Sequence, residues 1–107
     1  MKNTVTKHLK KNLAETYMQL LNTQKCHWNV EGPRFHSLHI MFEDQYKVLF
    51  DYVDVIAERI RALGAYTPAS FDEFIDSSDI DQIKEETLEA DTMINRLLEG
   101  YETLVQN

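Results

Sequence analysis

Residues 26–39, CHWNVEGPRFHSLH, separate two long runs of helically spaced apolar side chains. Before this stretch the apolar residues recur mostly in steps of three and four: Val5, Leu9, Leu13, Tyr17, Leu20 and Leu21. After it the same spacing continues through Leu38, Phe42, Leu49, Ile56, Ile60 and Leu63. Gly32-Pro33 breaks the pattern once, and Gly64 ends the second run. We therefore predict two amphipathic helices, over roughly residues 4–29 and from soon after Pro33 to Gly64.

The second half of the chain continues the helical pattern. Ser70, followed three residues later by Glu73, is typical of a capping box and predicts a short connecting helix. Apolar spacing from Ile83 onward predicts a third long helix that starts near Asp79 or Asp81 and runs towards the end, through Gly100. No strand pattern occurs, so the fold class is all-α. Antiparallel bundles usually have a fourth helix, which this sequence does not supply.

Composition limits the classes of function. The chain has 107 residues and a formal net charge of -7, which suits one small domain and disfavours attraction to nucleic-acid phosphates. Cys26 is the only cysteine, so neither an internal disulfide nor a cysteine-rich zinc site can form. No apolar run is long enough for a membrane span, and the N-terminus lacks a secretory pattern. We expect a cytoplasmic protein.

A polar stripe on the second predicted helix carries the chemistry. With His39 at zero on a helical wheel, Glu43, Asp54 and Glu58 fall at about 40°, 60° and 100°. Imidazole and carboxylate ligands together suit iron. About 22 Å of helix rise separates His39 from Asp54, so one helix cannot bring both to the same ion. Two copies packed antiparallel about a two-fold axis could bring them together at two identical sites.

The stripe has a simpler interpretation. Mixed charge along a helix is usually its solvated face, and Lys47 and Arg61 lie on or beside the same stripe. Glu58 and Arg61 could form an ordinary pair three residues apart. On spacing alone the solvated face is the more common outcome. The sequence contains no H-E-x-x-H, no Glu-x-x-His pair and no glycine-rich phosphate loop.

Two blocks resemble the signatures of the Dps family of mini-ferritins. The first is the stretch 26–39, and the second is DVIAERIRALG at positions 54–64. The resemblance implies an all-α, ferritin-like four-helix-bundle subunit, of which this chain supplies helices A and B, the short BC helix and helix C. Residues 1–107 would then be a single ferritin-like domain that lacks the C-terminal fourth helix.

The resemblance also implies a ligand set for an inter-subunit dinuclear iron site. His27 and His39 would be imidazole ligands. Glu43 stands where the family often has Asp, and it retains the carboxylate. Asp54 and Glu58 would be the ligands that a second subunit contributes, in agreement with the distance between the two ends of the stripe.

Other residues near the signature have less defined roles. Trp28 resembles a tryptophan that flanks the family's site and handles stray oxidising equivalents, which makes it a candidate electron donor; a buried packing role is the alternative. We expect His36 to be near the site or on the surface and His8 to be solvated. Cys26 is expected to be a small packing residue.

By resemblance the function is ferroxidase activity: Fe(II) is oxidised by hydrogen peroxide or oxygen, for iron storage and protection against oxidative stress. The family implies a homo-oligomer, a dodecamer, with a dimer as the minimum for the site. DNA binding is not favoured, because the basic residues of the N-terminus are few and join the first helix directly. A helical oligomerisation or metal-binding module that has lost mineral storage remains an alternative, as does a fragment without activity.

Overall fold

The computed structural model describes residues 2–106, which form four helices and no strand. In chain order they are α1 (Lys2–Asn29), α2 (Phe35–Ala62), α3 (Phe71–Ser77) and α4 (Ala90–Gln106). Helix α1 is central, since it packs against each of the other three. The predicted all-α architecture is confirmed for the described residues. No helix in the described range is both long and apolar enough to cross a bilayer.

Glycines make both predicted breaks. Gly32 has φ of +105° and Gly64 has φ of +89°, a backbone region that side-chain-bearing residues rarely adopt. At the end of α2 the amide of Gly64 donates to the carbonyl of Arg61, which satisfies one of the free carbonyls of the last turn. The first break turns the chain back, so the end of α1 lies beside the start of α2.

The core consists of two clusters along α1. One contains buried Leu13 and Ile60, and Phe74 of α3 extends it by stacking on Tyr17 with ring centroids 5.0 Å apart. The other lies under the α1–α2 break; its buried members are Cys26, Val30, Leu38, Phe42, Ile83, Met93 and Leu97. Phe42 is fully buried there. This second cluster fixes the end of α1, which carries His27, against the start of α2, which carries His39.

The short connecting helix forms as predicted. Ser70 is the N-cap of α3, and its hydroxyl oxygen accepts a hydrogen bond from the amide of Glu73 at 3.2 Å. The same hydroxyl donates to the Glu73 carboxylate at 2.8 Å. These bonds satisfy an amide that the first turn would otherwise leave free.

The predicted start of the third long helix is wrong. Helix α4 begins at Ala90, and residues 78–89 are irregular instead of continuing the helix back to Asp79 or Asp81. Ile80 and Ile83 are nevertheless buried, so the apolar residues of the segment pack without helical periodicity.

Side chains of α1 explain why this segment is not helical. The Asn22 amide donates to the carbonyl of Asp81 and accepts from the amide of Ile83, both at 2.9 Å. Lys25 donates to the carbonyl of Ile83 at 2.8 Å. Because these contacts satisfy three backbone groups around Ile83, this part of the segment can pack against α1 without forming helical hydrogen bonds of its own.

Gly100 allows α4 to approach α1 closely. A Cβ atom built at Gly100 would lie 1.9 Å from Oε1 of Gln19 and 2.7 Å from its Cδ, far inside contact distance. The Gln19 side chain is fully buried and donates from Nε2 to the carbonyl of Leu97 at 2.8 Å. The helix therefore continues through Gly100, and the glycine makes room for a buried side chain of the neighbouring helix.

Candidate metal centre

Two histidines meet where α1 and α2 adjoin. His27 lies in the last turn of α1 and His39 in the second turn of α2, and their rings stack with centroids 3.8 Å apart and planes 17° apart. Phe35 stacks against His39 at 5.0 Å, and Tyr46 contacts His27 edge-on at 5.3 Å. Aromatic packing on both imidazoles limits their rotation.

Reciprocal hydrogen bonds determine which nitrogens are free. Nδ1 of His27 donates to the backbone carbonyl of His39 at 2.7 Å, and Nδ1 of His39 donates to the carbonyl of His27 at 2.7 Å. A carbonyl oxygen only accepts, so each Nδ1 carries the hydrogen. In the neutral imidazole the lone pair is then on Nε2 of both rings, which is the arrangement found in metal-binding histidines.

Glu43 completes a group of three. It lies one turn after His39 on α2, and its Oε1 is 3.9 Å from Nε2 of His27. One ligand atom from each of His27, His39 and Glu43 lies within 4.8 Å of the others. Among the residues that the structure describes, this is the only group of three or more His, Cys, Asp or Glu side chains with that property.

A lysine contacts the carboxylate of this group. Nζ of Lys47, one turn further along α2, donates to Oε2 of Glu43 at 2.7 Å. The hydrogen bond and the positive charge of Lys47 lower the pKa of Glu43, and Glu43 in turn raises the pKa of Lys47. The carboxylate is thus ionised, and Oε1, the oxygen that Lys47 does not contact, lies on the side of His27.

The chemistry of these ligands fits iron. Two imidazole nitrogens and one carboxylate oxygen form the donor set of mononuclear Fe(II) sites with open coordination positions, although zinc accepts the same donors. A carboxylate is a hard ligand that stabilises the ferric state more than the ferrous state. Three ligands from one chain leave room for further ligands, for a second ion or for an oxidant.

Asp54 and Glu58 lie away from this group. Both are exposed on α2, and the continuous helix separates Asp54 from Glu43 by about 16 Å of rise. The structure thus brings together three of the five candidate ligands, His27, His39 and Glu43. Within one chain the other two cannot reach the same ion.

The remaining candidates have distinct environments. Trp28 is 63% exposed, so a buried packing role does not describe it in this chain. His8 and His36 are exposed on the surface. Cys26 is 1% exposed, and burial raises the pKa of its thiol to about 11, which supports its assignment as an unreactive packing residue.

Sequence reasoning missed the residues that support the imidazoles and treated Lys47 only as a sign of a solvated face. Tyr46 follows His39 by seven residues and Lys47 follows Glu43 by four, so both lie on or beside the ligand face of α2. That spacing was a usable signal. The stacking of Phe35 depends on the geometry of the break and had no comparable signal.

The comparisons with known proteins agree with this fold. A family model described as a ferritin-like domain matches residues 6–107. DNA protection during starvation protein 2 of Bacillus anthracis is 32% identical over 106 residues, which cover 98% of this chain and 71% of that protein. An uncharacterized low temperature-induced protein of Nostoc is 36% identical over 99 residues, covering 92% of this chain and 55% of the relative.

Solved structures show the same architecture. The Vibrio cholerae Dps protein, described as a member of a broad superfamily of ferritin-like diiron-carboxylate proteins, superposes with a TM-score of 0.93 at 28% identity. The alignment covers 98% of this chain and 65% of that one. Staphylococcus aureus Dps superposes with a TM-score of 0.86 at 31% identity, over 92% of this chain and 65% of that one.

The helical fold and the family match define a ferritin-like protein. More narrowly, the chain belongs to the Dps family of mini-ferritins. It spans 55% of the length of the Nostoc relative and 65% of the Vibrio cholerae chain.

Proposed function

We propose that this chain is an iron-binding ferroxidase that takes up Fe(II) through His27, His39 and Glu43. The observation that carries the proposal is the pair of reciprocal Nδ1–H bonds, because they leave both Nε2 lone pairs available beside a carboxylate. A solvated helix face, the simpler interpretation of the stripe, would not need two histidines locked in that tautomer.

The second half of the site would come from another copy of the chain. Asp54 and Glu58 are exposed at the opposite end of α2, and an antiparallel two-fold contact between α2 helices would place them against His27 and His39 of the partner. Each dimer would contain two dinuclear iron sites. Exposed Phe50 on α2 is 59% accessible and offers apolar area for such a contact. A homodimer is therefore the smallest active assembly, and the family implies a dodecamer.

The proposed reaction oxidises two Fe(II) ions for each hydrogen peroxide consumed. Each Fe(II) loses one electron, the O–O bond accepts two electrons, and two protons complete two water molecules. Because both electrons are supplied at one site, hydroxyl radical release is suppressed, which protects against oxidative stress. Oxygen is the alternative acceptor. Exposed Trp28, next to His27 in sequence, would supply an electron when only one iron is bound.

The wider assignments follow the same proposal. Residues 1–107 would act as one ferritin-like unit in the cytoplasm. The chain would not bind DNA, because its net charge is -7. The second candidate is an oligomerisation or metal-binding module without mineral storage. Light scattering on a size-exclusion peak separates the two, since a dimer would have no mineral cavity.

Alanine substitution of both distal carboxylates tests the ferroxidase proposal. Asp54→Ala/Glu58→Ala should abolish rapid Fe(II) oxidation and leave helicity, measured by circular dichroism, unchanged. The matched control is Asp44→Ala/Asp51→Ala, which removes two exposed carboxylates from other positions on α2 and should oxidise Fe(II) normally. If the first variant oxidises Fe(II) at the rate of the unmodified protein, the stripe is only a solvated face.

A further inference from the structure

The carboxylate of the proposed iron site has two different neighbours. Oε2 of Glu43 accepts a hydrogen bond from Lys47 at 2.7 Å, whereas Oε1 lies 3.9 Å from Nε2 of His27. The Lys47 side chain is 63% exposed and that of Glu43 is 36% exposed, so the pair lies at the solvent edge of the site. The ammonium group of Lys47 and a metal ion bound beside His27 would thus contact the same carboxylate, that of Glu43.

We infer that the positive charge of Lys47 weakens metal binding at Glu43 and promotes release of the oxidised ion. The inference rests on the ferroxidase proposed above. Lys47 takes up one lone pair of Oε2, whereas Oε1, on the side of His27, carries no bond from the lysine. A metal ion must either share the carboxylate with a positive charge or displace that charge.

The electrostatic argument also distinguishes substrate from product. Coulomb repulsion scales with the product of the charges, so a fixed ammonium repels Fe(III) half again as strongly as Fe(II). The three ligands of this chain alone would hold the ferric ion more tightly than the ferrous ion, because the carboxylate is hard. Lys47 offsets that preference, which suits a site that must pass its product on and bind new substrate.

A simpler role for Lys47 is possible and makes a different prediction. Glu43 and Lys47 are spaced i,i+4 with the glutamate first, the orientation that stabilises an isolated helix. If the pair served only the helix, removing the lysine would leave metal affinity unchanged. If Lys47 mainly oriented Glu43, its removal would weaken metal binding.

Titration with Co(II), a spectroscopically visible substitute for Fe(II), separates these roles. We expect Lys47→Gln to bind Co(II) about tenfold more tightly than the unmodified protein, as removal of a nearby like charge predicts. Lys47→Arg, which keeps the charge, should stay within about twofold. Lys7→Gln, the control, makes the same change in net charge near the far end of α1 and should have no effect. The gain should shrink with added salt, because Lys47 is exposed.

The outcomes are separable. Equal or weaker Co(II) binding by Lys47→Gln overturns the inference, and if His39→Ala abolishes binding in the same series, the proposed iron site still stands. Failure of both the unmodified protein and Lys47→Gln to bind Co(II), or binding that survives His39→Ala unchanged, overturns the inference and the proposed function together.

Discussion

Replacing Gly100 by alanine should destabilise the fold, although alanine is the better helix former. The new Cβ would lie 1.9 Å from Oε1 and 2.7 Å from Cδ of Gln19. Gln19 is fully buried and is held by its bond to the carbonyl of Leu97, so its side chain cannot move into solvent without breaking that bond.

The expected magnitude follows from three contributions. Overpacking a close helix contact costs about 1–3 kcal/mol. Loss of the buried bond from Gln19 costs about 1–3 kcal/mol. Alanine in a helix interior regains about 1 kcal/mol relative to glycine. The net expectation for Gly100→Ala is a loss of about 3 kcal/mol in the free energy of unfolding, with the middle of each range used.

Urea unfolding followed by circular dichroism, at fixed chain concentration, measures this loss. In a Gln19→Ala background the obstructing atoms are gone, so adding Gly100→Ala should become neutral or stabilising by up to about 1 kcal/mol. Asn95→Ala, at an exposed position of the same helix, is the control for helix propensity and should change stability by less than about 0.5 kcal/mol. Equal destabilisation by Gly100→Ala in both backgrounds would refute the close-contact explanation.

Three further predictions concern local interactions. Cys26 should resist thiol reagents at neutral pH until the chain unfolds. The pKa of its thiol is about 11 in the folded chain and 9.0 in the free group. Because the unfolded thiol therefore ionises first, the free energy of unfolding should fall as the pH rises from about 9 to 11. Ser70→Ala should cost about 1 kcal/mol in urea unfolding through loss of the α3 cap, and a cost near zero would argue against the capping contact. Asn22→Ala should speed hydrogen exchange at the amide of Ile83, and unchanged exchange there would contradict the role of Asn22 in holding the segment.

The sequence was sufficient for elements with local causes. The apolar spacing of α1 and α2, the glycines at 32 and 64, and the Ser70 cap each act within a few residues, and each produced the predicted element. The segment 78–89 was mispredicted because its conformation depends on Asn22 and Lys25, which lie 58 to 61 residues away along the chain. No local pattern contains that information.

The candidate site also has a part that sequence spacing predicted and a part that it could not predict. His39 and Glu43 are one helical turn apart, so their proximity follows from sequence spacing, and His27 joins them because the chain turns back at Gly32. The exchange of Nδ1 hydrogen bonds with the opposite backbone carbonyls could not be read from the sequence, because it depends on the separation of two helix ends.

The contribution of two chains to each iron site can be measured by mixing defective variants. His27→Ala/His39→Ala retains the distal carboxylates, and Asp54→Ala/Glu58→Ala retains the histidines. Each should fail alone to oxidise Fe(II) rapidly, because each lacks the ligands of one half of the site. After the two are dissociated together and reassembled at equal concentration, half of the dimers should be mixed, with one of two sites intact, so about one quarter of the sites should recover. Recovery near that fraction is the result expected of an inter-subunit ferroxidase, whereas no recovery in demonstrably mixed dimers would contradict it.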